Sequence, residues 1–155
     1  RERLGANINV GASIDRSTAT LSTPSANLGS SLTLLADVLR NPAMDAAAFG
    51  RVRAQRLTGI ASERTQPAAI AARALPPLLF GADSPYGRGF TGTGDEATVR
   101  ALTVADMASE HATWVRPDNA KVYVVSDRPL AEVRAELDRA FGDWTPPATA
   151  RGEKN

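Results

Sequence analysis

Asn7-Ile8-Asn9-Val10-Gly11-Ala12-Ser13-Ile14-Asp15-Arg16-Ser17-Thr18-Ala19-Thr20-Leu21-Ser22-Thr23, followed directly by Leu28, Leu32, Leu35 and Leu39, is the stretch on which the fold turns. Ile8, Val10, Ala12 and Ile14 alternate with Asn7, Asn9, Gly11 and Ser13. That is the period of a half-buried strand, and it predicts one over 6–14. Thr18, Thr20 and Ser22 alternate with Ala19, Leu21 and Thr23 in a second strand over 17–23, with Asp15-Arg16 as the hairpin turn. The period then changes. The four leucines step by four, three and four, one apolar stripe of a helix over 26–40. Pro24 closes the second strand, Ser25 is the candidate N-cap, and Asn41-Pro42 stops the helix.

Further along, Asp45 is placed to cap a helix over 46–64, with Phe49, Val52, Leu57 and Ile60 apolar. Arg51, Arg53, Arg56 and Arg64 make its other face basic, a pattern that more often faces solvent than a ligand. A third helix starts at Pro67, a good first-turn residue, and is expected to kink or end at Pro76-Pro77. Residues 81–94 hold five glycines and no periodicity, which reads as a loop. A short helical turn around 95–101 follows. Thr103 and Asp106 form a capping-box pattern for a helix whose inner face carries Val104, Met107, His111 and Trp114. Arg116-Pro117-Asp118-Asn119 turns the chain into a strand from Ala120 to Val125, whose unbroken apolar run implies burial on both faces. A last helix over 129–142 carries Leu130, Val133, Leu137 and Phe141. Three strands are too few for a complete sheet, so further strands are expected outside the 155 residues. Residues 1–145 read as a partial α+β domain and 146–155 as a linker or tail.

Composition excludes several classes. With 43% hydrophobic and 23% charged residues, the chain is neither disordered nor membrane-like, and no apolar run is long enough to span a bilayer. A formal net charge of +1 gives no electrostatic case for nucleic acid. Arginine far outnumbers lysine and alanine is abundant, which reads as the bias of a GC-rich genome. The absence of Cys removes disulfides, thiolate metal sites and a Cys nucleophile. Arg1-Glu2-Arg3-Leu4-Gly5 is no signal peptide and reads as the last turn of a helix ending at Gly5.

The chain offers little chemistry of its own. A helical zinc motif needs two His one turn apart with a carboxylate nearby. Met107-Ala108-Ser109-Glu110-His111 has that spacing but puts Met in the first position, and His111 is the single histidine. A packing role for it is the simpler reading. No GxSxG elbow supports a serine triad. Gly87-Arg88-Gly89-Phe90-Thr91-Gly92 lacks the strand before it and the Lys after it that a phosphate loop requires. Asp95-Glu96 and Glu132/Glu136 lack an apolar surround, and the latter sit beside Arg128, Arg134 and Arg139 on a salt-bridged face. No residue is assigned a catalytic role.

Several landmarks in order nevertheless resemble the M16 metallopeptidases, the family of pitrilysin, insulinase and mitochondrial processing peptidase. They are Leu4-Gly5-Ala6-x-x-Asn9, Leu34-Leu35-Ala36-Asp37-Val38-Leu39-Arg40-Asn41-Pro42, Tyr86-Gly87 after a proline, and Gly92-Thr93. Leu102-Thr103-x-x-Asp106, Arg116-Pro117-Asp118-Asn119-Ala120 and Phe141-Gly142-Asp143-Trp144 complete the series, which covers residues 4–145. The resemblance implies an α+β fold: a mostly antiparallel sheet with helices packed on one face, incomplete in this chain. In catalytic members an inverted HxxEH zinc motif lies upstream of the Leu4-Gly5 landmark. The third zinc ligand is the second Glu of a Leu-Glu-Glu-Ile-like stretch eight residues before a proline. Registered on Pro67, that stretch is Leu57-Thr58-Gly59-Ile60, and Gly59 replaces the expected zinc-ligand Glu.

The resemblance therefore implies an inactive, zinc-free domain of a bacterial zinc peptidase, forming part of a clamshell chamber. Zinc would sit in a catalytic partner domain or subunit, with an extended peptide in the shared chamber. In catalytic copies the strand corresponding to Asn7, Ile8, Asn9 and Val10 pairs with the substrate backbone. Two alternatives stand beside this: a catalytic domain whose third ligand has shifted to Glu63, and a structural paralogue without a peptidase partner, like the core subunits of respiratory complexes. Bacterial relatives of this type are often exported, which implies the periplasm, with the cytoplasm open.

Overall fold

The computed structural model describes residues 2–87 and 92–153. Two strands, β1 (Asn7–Ala12) and β2 (Ser17–Ser22), form an antiparallel hairpin in which Asn7 faces Ser22 and Ala12 faces Ser17. Among the described residues the sheet has these two strands alone. Among the described residues six α-helices follow: α1 (Leu28–Arg40), α2 (Ala46–Glu63), α3 (Pro67–Phe80), α4 (Glu96–Ala101), α5 (Val104–Trp114) and α6 (Leu130–Phe141). The class is α+β, as the change of period at residue 24 predicts.

The chain divides into two compact units. The first holds both strands, the chain from β2 through Ala43, and everything from Ala108 onward. Its core is Ala6, Ile8, Leu32, Leu35, Ala36 and Val133, all buried. α1 packs on α6 through the leucine stripe, and Arg40 closes the contact with a bidentate pair to Asp143 at 2.7 and 3.2 Å. Ser31, fully buried, shares a hydrogen bond of 2.9 Å with the Thr23 hydroxyl, which fastens β2 to α1. The second unit holds the hairpin tip Ser13–Arg16 and Met44–Met107. Its core is small: Ile60 of α2, Pro76 of α3 and Val99 of α4.

The local caps form as expected. The Asp45 carboxylate accepts from the Ala48 N–H at 2.6 Å, and Thr103 and Asp106 exchange reciprocal bonds. Five expectations need correcting. Ser25 does not cap α1; Asn27 stands at the cap but its side-chain amide donates to the Leu4 carbonyl rather than capping the helix, and the Ser25 hydroxyl donates to Asp127. α3 does not end at Pro76-Pro77 but runs on to Phe80. A proline within a helix forfeits its own N–H bond and crowds the preceding turn, yet leaves later N–H groups free to continue the ladder. The Gly81 N–H bonds the Pro77 carbonyl at 3.1 Å. Val10 and Ile14 are exposed rather than inward, so the buried face of the hairpin is confined to Ala6 and Ile8 at its base. Met107 is likewise exposed, although it shares the helical spacing of His111.

The largest correction concerns 120–125. Lys121–Ser126 forms no ladder, and Val122, Tyr123, Val124 and Val125 are exposed, not buried on both faces. A strand exists only against a neighbour that takes its N–H and C=O groups, and none of the described residues supplies one.

Candidate functional site

Gly59 lies on the outer side of α2, one turn before the end of the helix, with Ile60 beside it turned into the core. It borders an open hollow of about 250 Å³ lined by Val52, Gln55, Arg56, Gly59 and Thr93. A Cβ placed on Gly59 would meet no heavy atom within 4 Å. The missing side chain therefore leaves free space and reflects no steric need for glycine.

Glu63 stands one turn further along the same helix. Its carboxylate accepts from Arg73 Nε at 2.6 Å and from the Thr93 hydroxyl at 3.1 Å, and Arg73 also reaches Thr93 at 2.7 Å. Burial pushes the carboxyl up, but the bonds from Arg73 and Thr93 and the charges of Arg73 and Arg56 outweigh it. The net result holds Glu63 below the ordinary carboxylate range. The group is thus an ionised acceptor already engaged by a guanidinium and a hydroxyl.

Other candidate residues are also engaged. His111 Nε2 donates to the Leu39 carbonyl at 2.8 Å, which makes it a tie between α5 and the end of α1. On the basic face of α2, Arg53 bonds the Leu102 carbonyl and lies over the Phe49 ring, while Arg64 pairs with Glu96 at 3.0 Å. Glu132 pairs with Arg128 and Glu136 with Arg139 along α6. A second hollow of about 440 Å³ is bordered by Gly29, Thr33, Arg128, Glu136 and Arg139; Glu136 pairs with Arg139, Arg128 with Glu132, and the Thr33 hydroxyl donates to the Gly29 carbonyl. Among the described residues no three His, Asp or Glu side chains converge as a metal site would require. Of the glycine-rich stretch Gly87–Gly92, residues 88–91 lie outside the described residues.

β1 carries Asn7, Ile8, Asn9 and Val10. Ile8 is buried, whereas Asn7, Asn9 and Val10 are exposed. One edge of β1 is taken by β2, and among the described residues the other edge has no partner strand. These four residues are near neither Gly59 nor Glu63 in sequence. β1 falls in the first unit and α2 in the second.

Sequence reasoning missed the buried Arg116. Its guanidinium grips Asp118 at 2.6 and 3.1 Å and the Thr149 carbonyl at 2.7 Å. That grip depresses the Asp118 carboxyl below its usual range. The bracket joins the Arg116-Pro117-Asp118-Asn119 turn to the C-terminal tail, where the Gly152 N–H bonds the Thr113 carbonyl at 3.4 Å. Only the i,i+2 placement of opposite charges around Pro117 hinted at it in the sequence.

No family model matches the chain, and no curated protein matches it. Solved structures do. A protease from Helicobacter pylori superposes with a TM-score of 0.82 at 20% identity, over 98% of this chain and 37% of that one. A peptidase M16 inactive domain from Pseudomonas fluorescens superposes with a TM-score of 0.83 at 24% identity, over 99% of this chain and 37% of that one. The chain thus has the fold of these proteins along essentially its whole length, and spans little more than a third of each.

Proposed function

We propose that the chain is part of the inactive half of an M16-type zinc metalloendopeptidase, walling the peptide chamber and partnering a zinc-bearing catalytic domain. The observation that carries this reading is the superposition on an M16 inactive domain over 99% of the chain. The α2 site supports it. Gly59 offers no donor atom where the resemblance puts a ligand, and the one nearby acid, Glu63, is bound to Arg73 and Thr93. This donor set does not fit a zinc ion, which needs three or four unengaged N, O or S ligands around one point.

In this reading the chain performs no bond-breaking step. Its contribution is shape and contact: a rigid wall against an extended peptide, and a surface for the catalytic partner. The edge of β1 that has no partner strand among the described residues, at Asn7, Ile8, Asn9 and Val10, is suited to accept a peptide backbone by strand addition. A periplasmic location for the parent protein belongs to the same proposal. The engagement of Glu63 weighs against a shifted third ligand.

Elemental analysis of the purified chain tests the reading. It should show far less than one zinc per chain, both as isolated and after incubation with zinc followed by desalting. Stoichiometric zinc that Glu63→Ala removes would overturn it and revive the shifted ligand.

A further inference from the structure

Residues 146–152 have the composition of a segment that nothing holds: two prolines, two alanines, a threonine, an arginine and a glycine. The structure nevertheless anchors this stretch repeatedly, and every anchor lies within the first unit. Just before it, the Trp144 N–H donates to the Phe141 carbonyl at 2.9 Å, and the two rings lie 6.0 Å apart. Next, the Thr149 carbonyl accepts from Arg116 Nη1 at 2.7 Å. Arg151 Nη1 then donates to the Asp118 carbonyl at 3.4 Å. Last, the Gly152 N–H donates to the Thr113 carbonyl at 3.4 Å, and a Cβ placed on Gly152 would stand 2.5–2.7 Å from three atoms of the Trp114 ring. The glycine rests directly on the indole because it has no side chain to hold it off.

The seat is the better-held partner. Arg116 is 5% exposed, and its fork already grips the Asp118 carboxylate at 2.6 and 3.1 Å, which aims a remaining donor at Thr149. A buried guanidinium donor without an acceptor is costly, so the Thr149 carbonyl helps to keep Arg116 satisfied. The Asn119 amide donates to the Trp114 carbonyl at 3.1 Å and ties the end of α5 to the same turn. Pro146 and Pro147 fix their own φ angles, so the chain crosses from Trp144 toward Arg116 with little conformational freedom to lose. What the seat takes from the segment is backbone: a carbonyl at Thr149, and an N–H and a bare Cα at Gly152.

We propose that residues 146–152 are a strap: a segment seated on Arg116 and Trp114 that opens and closes as one piece while the rest of the unit stays folded. Its anchors are few and its side chains contribute little to the core, which places it among the parts of a protein that open at low free energy. Closed, it covers the Trp114 ring and supplies the acceptor that Arg116 needs. Open, it bares the ring, admits water to the guanidinium and turns held chain into a free tether. Thr149 and Gly152 act on the seat through their backbone, so the choice of glycine at 152 decides whether the strap can close. The proposal rests on the contacts of this unit and does not need the peptidase reading.

Trypsin cleavage after Arg151 in the complete protein, followed by mass spectrometry, tests it. A protease that cuts only the open form reads the fraction of molecules in which the strap is open. The bond should be cut at least roughly tenfold more slowly than in a synthetic peptide of residues 146–155. Gly152→Val cannot settle on the ring. It should be cut at nearly the rate of its own matched peptide, with the thermal midpoint within about 2 °C of the parent's. Arg116→Lys keeps the charge but lacks the fork, and it should raise the cleavage rate at least severalfold. Cleavage of the parent at the peptide rate would overturn the proposal, because the segment would then be free. So would protection that either variant leaves unchanged, which would put its cause outside this seat. A midpoint that falls by many degrees in Gly152→Val would also overturn it, by making the segment core and not strap. Zinc content decides the peptidase reading separately, so the two can fail independently.

Discussion

At Glu63 two opposing influences set the charge: burial disfavours the carboxylate, while Arg73, Thr93 and Arg56 favour it and prevail. The folded pKa therefore lies below the unfolded one. The stability that Glu63 contributes is complete above the unfolded pKa and is lost as pH falls through the folded value. Urea midpoints measured from pH 7 to pH 3 should hold steady and then decline below the ordinary carboxylate range. Glu63→Gln should flatten part of that decline, and an identical pH profile in the variant would show that the pair contributes nothing. Gly59 is simpler. It is exposed in the interior of a helix, and a Cβ there meets nothing. Gly59→Ala should stabilise by about 0.5–1 kcal/mol through backbone entropy alone. Gly87 is the opposite case, because a Cβ there would overlap the Gly81 backbone carbonyl. Gly87→Ala should cost about 1–3 kcal/mol by overpacking, readable as a lower urea midpoint at unchanged m-value.

Among the elements, the contact between α1 and α6 shows how one unit is held. Leu32 and Leu35 are buried to 6% and 9% exposure, and Val133 faces them from α6 at 4%. Leu35→Ala should cost about 2–5 kcal/mol, the transfer term plus a cavity. Arg40→Ala should cost much less, since the pair with Asp143 is partly solvated and screened. Elements of this kind are legible in the sequence wherever the determinant is local. The leucine stripe, the Asp45 cap and the Thr103–Asp106 box need only neighbours three or four residues away. Pro76 and Pro77 mislead because proline's cost is also local, whereas α3 survives on packing that buries Pro76. Pro77→Ala should therefore lengthen no element but restore one N–H bond, raising stability by about 1–3 kcal/mol. Ser25 has the right chemistry for a cap, but its partner, Asp127, lies 102 residues away. No local reading finds that bond.

For the whole molecule, the alternation in β1 and β2 and the helical periods carry the α+β class, yet they cannot carry the sheet. Lys121–Val125 has a strand's composition, and a strand is a relation between segments that no single segment contains. The candidate site divides in the same way. That Gly59 bears no ligand is readable from one letter, given a register. That Glu63 is engaged required the positions of Arg73 and Thr93, ten and thirty residues away. These two facts together set the response to metal removal. If the chain held structural zinc, binding would be linked to folding, and a chelator would lower the melting temperature in proportion to RT ln(1 + [L]/Kd). In the reading proposed here, zinc sits in the partner domain alone. EDTA should therefore leave the thermal midpoint of this chain unchanged within about 1 °C, while abolishing peptide hydrolysis by the complete protein. A midpoint that drops by several degrees on chelation and returns with added zinc would place a metal in this chain and end the inactive-half reading.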